Sequence, residues 1–92
     1  MGVKLYYTTV TASREVKSQQ AEVMRILESK NIVFEMIDIS VGNEVREEMR
    51  SKAGNPSAVP PQIFNDDQYC GDYQSFSAAV EEDKVLKFLK MA

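Results

Sequence analysis

Two consecutive prolines, Pro60 and Pro61, lead directly into the segment Gln62-Ile63-Phe64. Proline has no backbone N–H, so Pro61 is compatible with a β-sheet only at the start of a strand. Asn65-Asp66-Asp67 has turn composition and residues 68–70 have strand composition, so this stretch predicts a β-hairpin that begins at the proline pair. Because the cis form is accessible mainly in X-Pro bonds, the bond before Pro61 is a candidate for a cis peptide.

The chain of 92 residues is 43% hydrophobic and 27% charged, with a net charge of −3. These values predict one globular domain over residues 1–92. Residues 1–10 are too short and too polar for a signal peptide, and no apolar run approaches the length of a membrane span. Lys and Arg are scattered among acidic residues, so no basic face is available for phosphate backbones. We therefore expect a cytoplasmic protein without nucleic-acid binding or membrane insertion.

Histidine is absent from the sequence and cysteine occurs once, and both residue types matter for catalysis and metal binding. The chain has no histidine, which excludes a Ser-His-Asp triad, a Cys-His dyad and a His-ligated metal site. It has a single cysteine, Cys70, which excludes an intramolecular disulfide and a Cys-x-x-Cys redox pair. We expect no metal site and no dithiol chemistry within this chain.

The first forty residues predict a βαβ unit. The β-branched and aromatic residues from Val3 to Val10 favour a strand. Ser13 is a suitable helix N-cap, and apolar positions then recur every three or four residues until residues 28–31. The predicted inner face of this helix consists of Val16, Gln20, Val23, Met24, Ile26 and Leu27. Ile32 to Ile39 is an apolar second strand, so the helix connects two parallel strands.

The second half of the chain predicts a helix, the hairpin and a final helical segment. Residues 40–43 form a loop that supplies an N-cap for a helix over residues 44–53, which Gly54-Asn55-Pro56 ends. After the hairpin, Asp72 is an N-cap candidate for one bent helix or two short ones, with Glu81-Glu82-Asp83 as a solvated surface. The predicted order is β-α-β-α-β-β-α.

This order, with a proline opening the third strand, resembles the thioredoxin-like fold in its glutaredoxin branch. That fold is α/β, with a mixed four-stranded sheet flanked by helices. Pro60 to Asn65 resembles the glutaredoxin pattern of a cis-proline followed by Gln and an apolar strand. Cys70-Gly71-Asp72 resembles the turn that follows in that family. The resemblance implies that the bond before Pro61 is cis.

A narrower resemblance covers essentially the whole chain. Residues 13–20, Gly54-Asn55-Pro56, residues 60–65 and residues 68–73 are similar to the SH3-domain-binding glutamic-acid-rich-like proteins, most of all to their short members. This family resembles glutaredoxin in fold but lacks its redox motif. The resemblance implies a small cytosolic and nuclear adaptor or a modulator of glutaredoxin activity.

The resemblance also predicts where a binding site lies. Residues 11–15 occupy the place of the glutaredoxin Cys-Pro-Tyr-Cys motif and include no cysteine, so no catalytic residue is predicted. A backbone edge and the start of the last helix, which offers free amides to a carboxylate, preserve the outline of a glutathione site. The predicted partner groove comprises Thr11, Ser13, Arg14, Pro60, Pro61, Gln62, Gly71, Asp72 and Tyr73. We expect no cofactor. Glutathione is the candidate small ligand that the resemblance implies, although the charge of Asp72 would compete with its carboxylate.

Two functions from different classes are compatible with these residues. The preferred one is a catalytically silent glutaredoxin-like module, expected to be monomeric, that binds signalling, cytoskeletal or redox proteins. The alternative is a monothiol glutathione-dependent oxidoreductase using Cys70, whose thiol precedes a helix N-terminus; the structural interpretation of this residue is a small buried hydrophobe. Direct SH3 binding is not expected, because Pro56, Pro60 and Pro61 include no pair spaced as in PxxP.

Overall fold

The computed structural model describes residues 2–11 and 13–91. Its strands are β1 (Val3–Tyr7), β2 (Phe34–Asp38), β3 (Gln62–Asn65) and β4 (Gln68–Asp72). Its α-helices are α1 (Arg14–Ser29), α2 (Asn43–Ala53), α3 (Tyr73–Glu81) and α4 (Val85–Phe88), and one turn of 3-10 helix covers Ile39–Val41. The predicted order of elements is confirmed, and the final helical segment consists of two short helices. Asp83, with a φ of 56°, lies in the turn between them.

The four strands form one mixed sheet in the order β2-β1-β3-β4. β1 pairs with β2 in parallel, with Val3 opposite Phe34. β1 also pairs with β3 in the antiparallel sense, with Tyr6 opposite Gln62, and β3 pairs antiparallel with β4. The amino end of β1 therefore lies beside the hairpin turn, and its carboxyl end lies beside the proline pair.

Alternate residues of β1 and β3 point to opposite faces of the sheet and enter two separate cores. The first core, against α1, α3 and α4, contains Val3, Leu5, Val23, Leu27, Ile32, Ile63, Phe76, Val85 and Leu89. The second core, on the face covered by α2, contains Tyr6, Ile39, Met49, Ala58 and Phe64. Burial on both faces explains why apolar residues stand at consecutive positions in these strands, Leu5-Tyr6 in β1 and Ile63-Phe64 in β3.

Helix α1 follows the sequence prediction closely. The Ser13 hydroxyl accepts a hydrogen bond from the backbone N–H of Val16, with an N···O distance of 3.2 Å, as expected of an N-cap. The buried residues of this helix are Gln20, Val23 and Leu27, all on the predicted face. The helix ends with Lys30 at its C-cap, within the predicted limits.

The first two strands are shorter than predicted. β1 ends at Tyr7 because both backbone groups of Thr8 bind the side chain of Gln20 instead of continuing the sheet. β2 was predicted as an apolar strand over residues 32–39, but it covers residues 34–38 at the edge of the sheet, and Met36 is 42% exposed. The apolar composition of this segment therefore does not reflect complete burial.

The connection from β2 to α2 also differs from the prediction. Instead of an irregular loop over residues 40–43, Asp38 caps a turn of 3-10 helix by accepting from the backbone N–H of Ser40 at 2.9 Å. Gly42 precedes α2 and provides no side-chain cap. The predicted end of this helix is confirmed, since Gly54 adopts a left-handed conformation with a φ of 69°.

The hairpin that the prolines predicted is present. The Pro60–Pro61 peptide bond is cis, and Asp66, with a φ of 53°, lies in the two-residue turn between β3 and β4. The pairing changes register after Ile63, so Gly71 lies opposite Ile63 and Tyr69 lies opposite Phe64. Cys70, between them, is the extra residue of a β-bulge. None of the helices in the described residues has the length and apolar character required to cross a membrane.

Candidate functional site

A groove of about 280 Å³ lies between the start of α1, the loop before β3 and the start of α3. We call it the proline groove. Its lining residues are Glu15, Gln19, Asn55, Ser57, Ala58, Val59, Pro60, Pro61, Gln62, Asp72, Tyr73 and Gln74. Three separate segments of the chain thus meet at the carboxyl end of β1, where the sequence predicted a partner groove.

Five of the nine predicted site residues line the proline groove, and four do not. Pro60, Pro61, Gln62, Asp72 and Tyr73 are in its wall. The other four predicted residues, Thr11, Ser13, Arg14 and Gly71, lie outside the lining. The Thr11 hydroxyl accepts from the Ser13 backbone N–H at 3.1 Å, while Ser13 caps α1, so these two side chains organise the helix start.

The sequence prediction missed the residues that α1 contributes. Glu15 and Gln19 face the groove one turn apart, and the Gln19 side-chain amide donates to Glu15 at 3.1 Å. Residues four apart lie on the same face of a helix, so this spacing was visible in the sequence. This spacing does not by itself predict a binding site, because polar residues on the outer face of a helix are usually only solvated. Gln74 on α3 was missed for the same reason, and Asn55 and Ser57 were missed because they are polar residues of a loop.

A buried glutamine fixes the loop that carries the prolines. Gln62 is only 5% exposed, and its side-chain amide donates to the carbonyl of Val59 at 2.8 Å. The hydroxyl of Tyr69 donates to the side-chain oxygen Oε1 of Gln62 at 2.7 Å. Burial, and secondarily the charge of Asp72, raises the pKa of Tyr69, so this hydroxyl stays protonated as a donor. The wall of the groove is therefore attached to both strands of the hairpin.

The backbone of this wall is poor in hydrogen-bond donors. Pro60 and Pro61 have no N–H, and the carbonyl of Val59 already accepts from Gln62. The sequence predicted an edge here that could pair with an extended peptide. The structure limits that pairing, because a bound peptide finds no backbone donor at residues 60 and 61.

Charge in the proline groove is negative. The ionisable residues among its described lining are Glu15, Asp72 and Tyr73. Asp72 caps α3 by accepting from the backbone N–H of Ser75 at 3.0 Å, so its carboxylate occupies the helix N-terminus. The Tyr73 hydroxyl donates to the carboxylate of Glu22, and this hydrogen bond is the main reason why the pKa of Tyr73 is raised. The groove favours ligands that bring N–H donors or positive charge.

The single thiol lies elsewhere. Cys70 is half-buried and packs against the first core, and it is absent from the lining of the proline groove. Burial raises the pKa of its thiol, and the charge of Lys90 offsets only part of this effect. A thiol with a raised pKa is a weak nucleophile at neutral pH. Within the described residues, no cluster of three or more acidic or cysteine side chains could hold a metal ion.

Solved structures show that the fold is thioredoxin-like, of the glutaredoxin type. The protein superposes on a buckwheat glutaredoxin in complex with glutathione with a TM-score of 0.73 at 11% identity, covering 97% of this chain and 76% of that one. It superposes on an actin interacting protein of C. albicans with a TM-score of 0.80 at 21% identity, covering 99% of this chain and 90% of that one. The predicted fold class is confirmed.

Sequence comparison then identifies the family. Residues 1–92 match the model of the family described as SH3-binding, glutamic acid-rich protein, and the chain belongs to this family. It is 40% identical over 104 residues to the SH3 domain-binding glutamic acid-rich protein homolog of Drosophila melanogaster. That alignment covers all of this chain but 66% of the relative, so this chain spans about two thirds of the length of the curated relative.

Proposed function

We propose that this protein is a non-catalytic glutaredoxin-like binding module that holds a segment of a protein partner in the proline groove. The observation that carries the proposal is the lining of the groove: three chain segments form it, yet its described residues include no thiol. A groove without sulfur has no group that can exchange disulfides, whereas its surface can still contact a partner. Membership of a family described as binding proteins supports the same function.

The chemistry of the groove indicates which partner segment it would accept. Its backbone wall offers no donor at residues 60 and 61, whereas Glu15 and Asp72 provide carboxylate acceptors. We therefore expect a segment with a lysine or arginine, or with unpaired backbone N–H groups. The same features argue against glutathione, whose carboxylates would meet two acidic side chains. Glutathione thus remains the weaker candidate ligand.

Cytoskeletal and redox proteins are the first partners to test, together with signalling proteins. The structural likeness to an actin interacting protein makes actin-associated proteins reasonable candidates, although that likeness itself extends to the fold alone. SH3 domains are less suitable partners for this region, because Pro60 and Pro61 are buried and cannot be presented as an exposed proline helix. For location, we propose the cytoplasm and the nucleus, which fluorescence microscopy of a tagged chain would test.

The experiment that tests the proposal removes the two groove carboxylates without removing the helix cap. Asn is an N-cap as good as Asp, so the double variant Glu15→Gln/Asp72→Asn keeps α3 capped while changing the charge of the groove. We expect partner recovery in affinity capture to fall several-fold. The matched control is Glu81→Gln/Glu82→Gln, which removes two exposed carboxylates at the end of α3, outside both grooves. Equal recovery with both double variants would contradict the proposal.

The alternative, a monothiol oxidoreductase using Cys70, has less support. Its thiol lies outside the proline groove and has a raised pKa. We expect Cys70 to react with an alkylating reagent at pH 8 more slowly than the cysteine of an unstructured peptide, and we expect no glutathione-dependent disulfide reduction. Activity that is present in the native protein and lost in Cys70→Ser would establish the alternative instead.

A further inference from the structure

A second groove lies at the opposite end of the sheet, beside the amino end of β1. Its volume is about 690 Å³, and the connection after α1 and the end of α4 form its walls. It shares Lys30 and Leu86 with a neighbouring groove of about 560 Å³. We treat the two as one surface and call it the lysine-rimmed groove. It has no residue in common with the proline groove.

The floor of the lysine-rimmed groove is apolar and exposed. Val33 is 89% exposed, Met91 is 51% exposed and Leu86 is 48% exposed. Burying such side chains contributes stability in proportion to the apolar area removed from water. These three line a concave surface instead of being scattered singly, which is the arrangement expected where a side chain of another molecule inserts.

The rim of the groove is positive in a protein whose net charge is −3. Lys30 and Lys90 border the apolar floor, and Lys84 and Lys87 border the neighbouring part. Asp83 is the acidic residue among the described lining of these two parts, while Glu35 and Asp66 line a third groove that adjoins at Val33. Four of the eleven basic residues of the chain thus surround one apolar groove. Long lysine side chains are flexible point charges and suit carboxylates that approach from several directions.

The walls are formed in advance, because backbone hydrogen bonds close both helix ends. α1 is followed by Asn31 with a φ of 59°, and the N–H of the next residue, Ile32, donates to the Leu27 carbonyl at 3.0 Å. α4 is followed by Lys90, also with a φ of 59°, and the Met91 N–H donates to the Leu86 carbonyl at 2.9 Å. These closures set the positions of the residues that line the floor before any partner is bound.

We propose that the lysine-rimmed groove binds an acidic peptide segment of a partner protein, which inserts an aliphatic side chain between Val33, Leu86 and Met91. The carboxylates of the segment pair with Lys30 and Lys90. A peptide fits this surface better than a membrane does, because Leu86 and Met91 are only about half exposed and line a groove instead of a protruding face. The proposal is separate from the function of the proline groove, whose lining is acidic.

The first experiment titrates the isotope-labelled protein with a synthetic peptide of ten glutamates and two leucines, the leucines spaced four residues apart. We expect amide shifts at residues 30–33 and 86–91. Lys30→Glu/Lys90→Glu should weaken binding about tenfold, since exposed charge pairs each contribute up to about 1 kcal/mol and reversal adds repulsion. The control for charge is Lys17→Glu/Arg46→Glu, which makes the same change in net charge outside the groove and should leave affinity within about twofold.

A second pair of variants tests the apolar floor with a substitution that keeps the shape of the side chain. Val33→Thr replaces one methyl group by a hydroxyl in the groove, and Val41→Thr makes the same change at a residue that is 74% exposed elsewhere. We expect the first to weaken peptide binding about fourfold, from one lost apolar group at about 0.8 kcal/mol, and the second to have no effect. Native amide spectra of each variant establish that it is folded.

Three outcomes would overturn the proposal. The first is equal binding of a peptide in which lysines replace the glutamates. The second is a set of shifts that leaves residues 30–33 and 86–91 unaffected, such as one confined to the proline groove. The third is that vesicles containing phosphatidylserine bind the native protein but not Lys30→Glu/Lys90→Glu, while the peptide binds neither. The occupant would then be an anionic membrane surface.

Discussion

The two ends of the sheet present grooves of opposite charge that are built by different means. At the carboxyl end of β1, the proline groove carries Glu15 and Asp72, and buried side-chain amides hold its loops. At the amino end, the lysine-rimmed groove carries Lys30 and Lys90, and backbone hydrogen bonds at two helix ends hold its walls.

This difference follows from the backbone at each end. Irregular loops leave carbonyl and N–H groups without partners in secondary structure, so a buried polar side chain must satisfy them. Gln20 does this for both backbone groups of Thr8, and Gln62 does it for Val59. Helix ends can instead close on themselves through a residue of positive φ. Substitutions of buried amides should therefore damage the proline groove while sparing the lysine-rimmed groove.

The largest effect is expected for Gly71→Ala, beside the proline groove. Gly71 has a φ of 153°, and an added Cβ would lie 2.9 Å from a ring carbon of Phe88 and 3.0 Å from Cβ of Ser75. Strain and overpacking together should lower the free energy of unfolding by about 3 kcal/mol in urea titrations. The control, Gly42→Ala, has an extended φ of 177° and no neighbour within 4 Å, and should cost almost nothing. Similar losses in the two variants would contradict this account of the packing.

Gln62→Leu should have the next largest effect. It leaves the Tyr69 hydroxyl and the Val59 carbonyl without their present partner, which should lower the free energy of unfolding by about 2 kcal/mol. Hydrogen exchange should increase in the loop before β3 but not at Met91. Gln68→Leu changes an exposed glutamine two residues after the hairpin turn begins and serves as the control. Increased hydrogen exchange at both ends of the sheet would contradict the claim that buried amides support only the proline groove.

Asn65→Leu tests the opposite end and should cost less. The Asn65 side-chain amide donates to the Leu89 carbonyl at 2.8 Å, but the N–H of Met91 closes α4 independently. We expect a loss of about 1 kcal/mol in the free energy of unfolding, with exchange at Met91 nearly unchanged. A loss as large as that of Gln62→Leu would mean that side chains support both ends equally.

The smallest effect concerns acid stability near the carboxyl end of β1. Hydrogen bonds from the Ser40 hydroxyl and N–H, and a further one from Thr9, lower the pKa of Asp38 below its ordinary value of 3.8. Since the folded protein favours the charged carboxylate, this contribution is present above pH 3.8 and is lost as the pH falls through the lowered pKa. Asp38→Asn should therefore show a slightly smaller loss of stability than the native protein on acidification. Identical pH profiles would contradict this.

The sequence predicted the fold well because periodicity, caps and turns all specify it locally. The N-caps Ser13 and Asp72 and the helix-ending Gly54 lie where the sequence placed them. The end of β1 was predicted too late because the pairing of Thr8 with Gln20 joins residues twelve positions apart. Propensity alone cannot detect such a contact, and the strand composition of this segment continues past the true end.

The proline groove could be predicted only in part. The prolines and Asp72 were visible because their residue types restrict the backbone or cap a helix. Glu15 and Gln19 were not, since only the packing of three segments shows which part of the outer face of α1 adjoins the groove. The lysine-rimmed groove was missed entirely, because its lysines and apolar residues come from segments more than fifty residues apart.

The bulge at Cys70 has a consequence for self-association. β4 is an edge strand, and an edge strand with regular spacing can recruit strands from neighbouring molecules into a continuous sheet. The extra residue in β4 interrupts that spacing, so a second chain cannot align its backbone groups along the whole edge. The irregularity that positions the only thiol of the protein also protects this side of the sheet from aggregation through strand addition.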